Sequence, residues 1–154
     1  MIKIDLLQNH PESIPKLAKI WHEVLGKIWM PEIGLEEIES GYYKELKQDL
    51  PISYIALSDS IPIGSCTLQL KDCVRPDLGP WIGDLVVDSK YQRQSIGKKL
   101  LEATTLKAKE LGFKKIYLFA FDSGLIEYYG RLGWRKIAMD EFKSHPVTIM
   151  ELRF

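Results

Sequence analysis

The stretch from Val86 to Leu101 constrains the fold of this 154-residue chain more than any other. An apolar strand ends in a short polar turn, and the turn leads directly into an amphipathic helix. Two small residues, Ser95 and Gly97, stand at the start of that helix, with cationic side chains beside them. The N–H groups of a helix's first turn have no partner inside the helix, and with the helix dipole they form an anion site that most often holds phosphate. The feature therefore predicts a phosphate-bearing cofactor at this helix N-terminus.

The length and charge of the chain limit the kinds of protein it can be. A chain of 154 residues suits one domain with one core, which we expect to span residues 1–154. Lysine and arginine together equal aspartate and glutamate at 21 each, so the net charge is zero. A nucleic-acid binder would carry a basic excess, and none is expected here. Local positive charge at Arg93, Lys98 and Lys99 still suits a small polyanion.

The cysteines and the N-terminal segment bear on compartment and metal content. Cys66 and Cys73 do not form a Cys-x-x-Cys pair, so no metal site is expected, and we interpret both as reduced thiols of a cytoplasmic protein. Polar residues from Asp5 to His10 interrupt any apolar run of the signal-peptide type. No apolar run approaches the roughly 20 residues needed to span a bilayer, so no membrane association is expected.

Hydrophobic periodicity predicts a mixed α/β (α+β) fold with the order β-α-α-β-β-β-α-β-α-β-β. The segment Trp81–Phe121 is a strand, a helix and a strand, which predicts a right-handed parallel crossover at the centre of a mostly antiparallel sheet. Ser13 is expected to cap a helix that runs to about Leu25, and Gly112 is expected to end the central helix. The predicted strands are 2–6, 53–57, 63–70, 81–87, 115–121, 134–139 and 147–152, and the predicted helices are 13–25, 35–46, 97–111 and 125–132.

Two short motifs in this context resemble those of a known family. The first, Gln92–Gly97, reads Gln-Arg-Gln-Ser-Ile-Gly and is similar to a signature of Gln or Arg, two free positions, Gly, one free position, and Gly or Ala. The second, Tyr128–Trp134, reads Tyr-Tyr-Gly-Arg-Leu-Gly-Trp and is similar to a segment with an aromatic residue, a tyrosine, three free positions and Gly-Phe. In this order, and over essentially its whole length, the chain resembles the GCN5-related N-acetyltransferases. The resemblance implies a GNAT-like sheet and an N-acetyltransferase activity.

The resemblance also implies the coenzyme and how the chain would hold it. Acetyl coenzyme A would be the co-substrate, with no metal, in a cleft between the strand that ends at Val87 and the strand that ends near Phe121. Backbone groups of the first strand would pair with the pantetheine amides, as an added strand does. Backbone N–H groups of the first motif would hold the pyrophosphate. The implied cofactor-binding residues are Leu85, Val86, Val87, Gln92, Arg93, Gln94, Ser95, Ile96, Gly97, Lys98, Asp122 and Tyr129.

Two residues depart from the family's pattern. Ser95 stands where members usually have Gly, and serine is small enough to let a phosphate approach, so weaker binding is the most we expect. Asp122 stands where many members have Asn. Its negative charge would oppose a phosphate, and its expected role is to cap the short helix that follows.

The reaction implied is acyl transfer to an amine. Tyr129 matches the tyrosine whose phenol protonates the leaving thiolate in many members; the alternative is a tyrosine of the core or of an interface. Asp84 is the candidate base for the amine, directly or through a water; the alternatives are a turn cap or an ion pair with Lys90. Neither motif contains a cysteine, so direct transfer in a ternary complex is expected rather than an acetyl-enzyme.

The acceptor is left open by the sequence, as a small-molecule or peptide amine. Acidic residues at 32, 36, 37 and 39 lie where members place acceptor-binding helices, and they either steer a cationic amine or form a solvated helix face. Trp29, Tyr42 and Trp81 either line an acceptor pocket or belong to the core. Since members are often dimers, the resemblance leaves room for a homodimer.

Two other functions compete with this interpretation. One is a regulatory module that binds coenzyme A without turnover. The other is a protein-interaction domain that needs no cofactor. A cofactor that binds only the native state raises the melting temperature, so the absence of a shift at saturating acetyl coenzyme A would favour the second alternative.

Overall fold

The computed structural model describes residues 1–46, 49–71 and 74–154. It contains one sheet of seven strands, in which the strands lie side by side in the order 1-2-3-4-5-7-6. Neighbouring strands are antiparallel except for the fourth and fifth, which run parallel, and this confirms the predicted mixed sheet with a central parallel unit. The strands are β1 (Ile2–Leu6), β2 (Ile52–Ser58), β3 (Ile61–Gln69), β4 (Trp81–Val87), β5 (Lys115–Ala120), β6 (Arg135–Phe142) and β7 (His145–Arg153).

Helices cover both faces of the sheet. One face carries the fourth and fifth helices, through a core cluster that contains Leu100, Leu118 and Tyr129. The other face carries the first and third, through a cluster that contains Leu17 and Ile38. No helix in the described ranges is both long enough and apolar enough to cross a bilayer. The helices are α1 (Ile14–Trp21), α2 (Lys27–Trp29), α3 (Leu35–Tyr43), α4 (Ile96–Glu110) and α5 (Ser123–Arg131), with 3₁₀ turns at Leu7–Asn9, Pro11–Ser13 and Ser89–Tyr91.

The helix ends follow the expected chemistry in most places. Gly112 has a φ of +92°, the left-handed conformation that a C-terminal cap requires, and so confirms the predicted end of the central helix. Asp122 accepts a hydrogen bond from the backbone N–H of Leu125 at 2.9 Å, and so confirms the predicted cap of α5. The predicted cap at Ser13 is wrong. Its backbone is already helical and its side chain makes no capping bond, because the chain enters α1 through a 3₁₀ turn.

The first helical segment is longer than predicted. A π-helical turn at His22–Gly26 joins α1 to α2, and the segment ends only at Trp29, where the break before Pro31 is expected. A π turn inserts one extra residue and rotates the side chains that follow, a distortion frequently found at functional sites. The turn lies directly after Trp21, which reaches the cavity described below.

The two parallel strands separate soon after they meet. Only Trp81 and Tyr117 are register partners between β4 and β5. Beyond them, β4 continues along β3 to Val87, while β5 continues along β7. The carboxyl-terminal part of β4 therefore has a neighbouring strand on one side and a gap on the other.

A β-bulge interrupts β4 at the edge of this gap. Thr67 is opposite Gly83, yet Ser65 is opposite Val86, so β4 has one residue more than β3 between these pairs. Asp84 lies in the bulge with a φ of +52°, a conformation that non-glycine residues rarely adopt. A bulge of this kind bends the strand and changes where a side chain points. Here it places Asp84 against Trp21, on the α1 face of the sheet.

Candidate functional site

A cavity of about 280 Å³ occupies the gap between β4 and β5. Its lining comes from both faces of the sheet. Ile82, Leu118 and Tyr129 belong to the cluster under α4 and α5. Trp21 and Met30 belong to the cluster under α1 and α3. The cavity is therefore lined from both faces of the sheet. Its remaining lining residues are Leu25, Gln69, Gly83, Asp84, Leu85, Phe119, Ala120, Phe121, Leu125 and Phe142.

A larger hollow of about 400 Å³ lies between α4 and the segment that joins α5 to β6. It is lined by residues such as Lys98, Leu106 and Trp134, and neither Asp84 nor Tyr129 reaches it. The two candidate catalytic residues, Asp84 and Tyr129, line the smaller cavity instead. We therefore take the cavity in the gap as the candidate site.

The loop that joins β4 to α4 forms an exposed cradle at one end of the gap. Arg93 and Ser95 both have a φ of +64°, and alternation of this kind turns backbone N–H groups toward a common side. Ser95 makes no capping bond to the helix, so the first-turn N–H groups of α4 are not satisfied by their own cap. The side chain of Gln92 donates to the carbonyl of Val87 at 3.1 Å and so folds the loop back onto the strand. This arrangement suits an anion.

The structure explains one departure from the family's pattern. The left-handed conformation at Ser95 is one that glycine adopts at little cost, so a glycine in other members fits the backbone here. In the cradle, the side chains of Arg93, Gln94, Ser95 and Lys98 are exposed. Ile96 is buried in the core, so it can contribute only its backbone. At Gly97 an added Cβ would lie 3.8 Å from Val87, an ordinary contact.

Hydrogen bonds to its side-chain carboxylate and to its backbone carbonyl hold Asp84 in place. The indole Nε1 of Trp21 donates to Oδ1 of Asp84 at 2.9 Å. The hydroxyl of Ser65 donates to the backbone carbonyl of Asp84 at 3.3 Å. The hydroxyl groups of Tyr42 and Ser65 lie 2.8 Å apart and continue this network into the core. Asp84 is thus a positioned carboxylate on the cavity wall.

A second carboxyl group, Glu45, lies behind Asp84. The hydroxyl of Ser53 donates to Glu45 at 2.7 Å and lies 2.6 Å from the hydroxyl of Thr67. Burial, with the negative charge of Asp84 adding to it, raises the pKa of Glu45 to about 8. Glu45 is therefore a neutral acid over most of the physiological range, close enough to Asp84 for each charge to affect the other.

Sequence reasoning missed this network. Glu45 falls at the end of the predicted helix 35–46, next to Lys44, and nothing in this pattern indicates that it is buried. One feature could have indicated a buried polar site. The pairing of β2 with β3 places Ser53 directly opposite Thr67, so that two hydroxyl groups lie side by side on one face of the sheet. That register becomes visible only when the two strands are aligned across their turn.

Tyr129 reaches the cavity from α5, on the side opposite Trp21. Its side chain is buried, next to the rings of Tyr128 and Trp134 at centroid distances of 5.5 and 6.3 Å. Burial raises the pKa of Tyr129 well above its ordinary value, so the phenol keeps its proton. The structure thus brings Tyr129 and Asp84 to one cavity, while their roles remain predictions.

The expected strand contacts have a suitable place in the structure. Val86 and Val87 pair with Ser65 and Gly64 of β3, and their other backbone edge faces the gap. Leu85 lines the cavity. An extended ligand could add to this edge as a strand does.

The remaining candidate residues divide between core and surface. Tyr42 and Trp81 are buried parts of the core, the second of the two alternatives given for them. Glu32 pairs with Lys143 at 3.3 Å. Cys66 is a free buried thiol, and Cys73 lies outside the described residues. Within residues 1–46, 49–71 and 74–154, no three His, Cys, Asp or Glu side chains gather as a metal site would require.

Comparison with known proteins identifies what this chain is similar to. The model of the acetyltransferase (GNAT) family matches residues 15–134. A curated spermine/spermidine N(1)-acetyltransferase of Bacillus subtilis is 32% identical over 75 residues, and the match spans about half of each protein, 47% of this chain and 49% of the relative.

Solved structures share the fold over the whole chain. An acetyltransferase from Streptococcus agalactiae superposes with a TM-score of 0.79 at 18% identity, covering 99% of this chain and 98% of the other. The PaiA N-acetyltransferase of Thermoplasma acidophilum, solved in complex with coenzyme A, superposes with a TM-score of 0.71 at 20% identity, covering 100% and 99%. At these identities the likeness establishes the fold.

Proposed function

The chain belongs to the acetyltransferase (GNAT) family, and from that premise we propose that it transfers the acetyl group of acetyl coenzyme A to a primary amine by direct attack in a ternary complex. The observation that carries the proposal is the cavity between β4 and β5, which is lined from both faces of the sheet. Tyr129 lines it from one face and Asp84 from the other. The two substrates can therefore meet inside it from opposite sides.

The residues of this chain fit the coenzyme. The cradle at 92–97 offers backbone N–H groups to a pyrophosphate, with Arg93 and Lys98 adding positive charge nearby. The edge of β4 that faces the gap at 85–87 offers hydrogen-bonding groups to an extended amide chain, apart from the carbonyl of Val87, which already accepts from Gln92. Asp122 is proposed to support coenzyme binding indirectly, because it caps the first turn of α5, the helix that carries Tyr129. A structure with this fold, the PaiA N-acetyltransferase, was solved in complex with coenzyme A, which supports coenzyme A as the ligand.

Asp84 is proposed to accept the proton of the amine. An alkylammonium ion has no lone pair, so it must lose a proton before its nitrogen attacks the thioester carbonyl. Trp21 and the bulge hold the Asp84 carboxylate on the amine's side of the cavity. The neutral Glu45 behind it adds no second negative charge while it stays protonated.

Tyr129 is proposed to donate a proton to the leaving sulfur. As the C–N bond forms, the C–S bond breaks and its electron pair stays on sulfur, which the phenol of Tyr129 can protonate. The buried phenol keeps its proton at neutral pH. Proton transfer by a positioned group contributes about 10²–10⁴-fold to a rate.

The chain's thiols favour direct transfer over a covalent acetyl-enzyme. Among the described residues that line the cavity there is no cysteine. Cys66 is buried, and burial raises its pKa to about 12, so a thiolate nucleophile is not available there.

The proposal is tested by incubating the protein with acetyl coenzyme A and a panel of primary amines. Free thiol release and the acetylated amine are measured together, so that hydrolysis is separated from transfer. We expect amine-dependent thiol release with intersecting initial-rate plots. Binding of acetyl coenzyme A without any turnover would instead identify a regulatory module. A melting temperature unchanged by the coenzyme would favour an interaction domain.

A further inference from the structure

The half of the cavity on the α1 face is an aromatic chamber, formed by Trp21, Phe119, Phe121 and Phe142. It is separate from the half that faces α4 and α5, where Tyr129 lies. If the coenzyme enters beside α4, as proposed, the chamber is what the acceptor meets. The side chains that line the chamber therefore indicate what kind of acceptor it can bind.

The chamber's walls are fixed by ring contacts. Phe121 stacks on Trp29 with centroids 4.5 Å apart and planes 7° from parallel. Phe119 lies 5.3 Å from Phe142 and 5.7 Å from Phe121. Rings packed in this way present a preformed apolar surface, which an apolar ligand fills with little reordering.

Charge in the chamber is confined to one place. Among the described residues lining the cavity, Asp84 is the one carboxylate. Glu32 lies outside the cavity lining and pairs with Lys143 at 3.3 Å. Glu37 lines a different hollow, of about 170 Å³, to which Trp21 and Asp84 also belong. The chamber thus has one carboxylate, which can pair with one ammonium group, and Glu37 lies in the adjoining hollow rather than in the chamber.

We propose that the acceptor is a primary amine carrying a single apolar substituent, aryl or alkyl, with its nitrogen at Asp84 and its substituent in the aromatic chamber. This inference rests on the proposed acetyl transfer. A polyamine would have to bury a second ammonium against aromatic walls, and burial of an unpaired charge is unfavourable. The chamber is therefore selective against polyamines, although a relative over half of the chain is described as acting on them.

Matched amines test this without changing the protein. Pentylamine and cadaverine have the same chain of five carbon atoms, and cadaverine carries a second ammonium group on its terminal carbon. We expect kcat/KM for pentylamine to exceed that for cadaverine by at least about tenfold. In the series from propylamine to hexylamine, kcat/KM should rise about threefold to fourfold per added methylene until the chamber is full.

A wall variant connects the selectivity to the chamber. Phe121→Ala should lower kcat/KM for hexylamine by about tenfold and change that for propylamine much less, because only the longer chain reaches the lost wall. Ile61→Ala, at an exposed position at the start of β3, is the control and should leave both values unchanged. Calorimetric binding of acetyl coenzyme A reports whether each variant is folded.

The outcomes separate the two proposals. If cadaverine or spermidine is acetylated as well as pentylamine or better, the chamber argument is wrong while acetyl transfer stands. A flat dependence on alkyl chain length in the wild type contradicts it as well, whatever the variant does. If no amine is acetylated, the transfer itself is refuted and this inference fails with it.

Discussion

Replacement of Glu45 by glutamine should change how the stability of the protein depends on pH. Burial, with the charge of Asp84 adding to it, raises the pKa of Glu45 to about 8 from an ordinary value of 4.5. Between these values the folded protein keeps a proton that the unfolded chain has lost. Stability therefore falls as the pH rises, by about 1.4 kcal/mol per pH unit.

Over the whole interval between the two pKa values, the free energy of unfolding falls by at most about 5 kcal/mol. Since part of the effect belongs to the pair Glu45 and Asp84 rather than to Glu45 alone, we expect the wild type to lose about 2–5 kcal/mol relative to the variant. Glutamine keeps an acceptor for the hydroxyl of Ser53, which lies 2.7 Å from Glu45, so the network can persist in the variant.

Urea unfolding of both proteins between about pH 5 and about pH 8 measures this difference. Glu36→Gln, at an exposed position on α3, is the matched control and should follow the wild type. Asp84→Asn should flatten the wild-type dependence in part, because it removes the charge that adds to the effect of burial. Parallel curves for wild type and Glu45→Gln would show that Glu45 is ionised in the folded protein and would refute this reasoning.

Three further substitutions have defined outcomes. Tyr129→Phe should lower kcat by about 10²–10⁴-fold while calorimetric affinity for acetyl coenzyme A is retained, and an unchanged kcat would exclude the phenol as the acid. Ser95→Gly should stabilise the protein by about 0.5–1.5 kcal/mol in urea unfolding, because a φ of +64° strains serine; a loss of stability would contradict this. Gly64→Ala should destabilise by about 1–3 kcal/mol, since its Cβ would lie 2.6 Å from the carbonyl oxygen of Val86. The control Gly41→Ala, which meets nothing within 4 Å, should stabilise by about 0.5–1 kcal/mol, and equal effects at the two glycines would refute the steric argument.

Local chemistry made much of the fold and part of the site predictable from sequence. Strand β4 runs from Trp81 to Val87 as predicted, because apolar residues bounded by loop and turn signals mark a strand clearly. Gly112 and Asp122 end and begin their helices as expected, since capping depends on nearby backbone groups alone.

Features that depend on distant parts of the chain were not predictable in this way. The bulge at Asp84 arises from the register of β4 against β3, and no residue next to Asp84 indicates it. The hydrogen bond from Trp21 to Asp84 joins residues 63 positions apart. The burial of Glu45 likewise follows from the packing of a loop over two strands whose hydroxyls face it.

The central claim is that the chain holds acetyl coenzyme A with its diphosphate on the cradle and its thioester in the gap. A crystal structure of the complex tests it most directly. The account predicts the pyrophosphate against the backbone N–H groups of residues 93–97 and the acetyl carbon in the cavity between Asp84 and Tyr129. Coenzyme bound elsewhere, for example in the hollow between α4 and the segment that joins α5 to β6 with the gap left free, would contradict it.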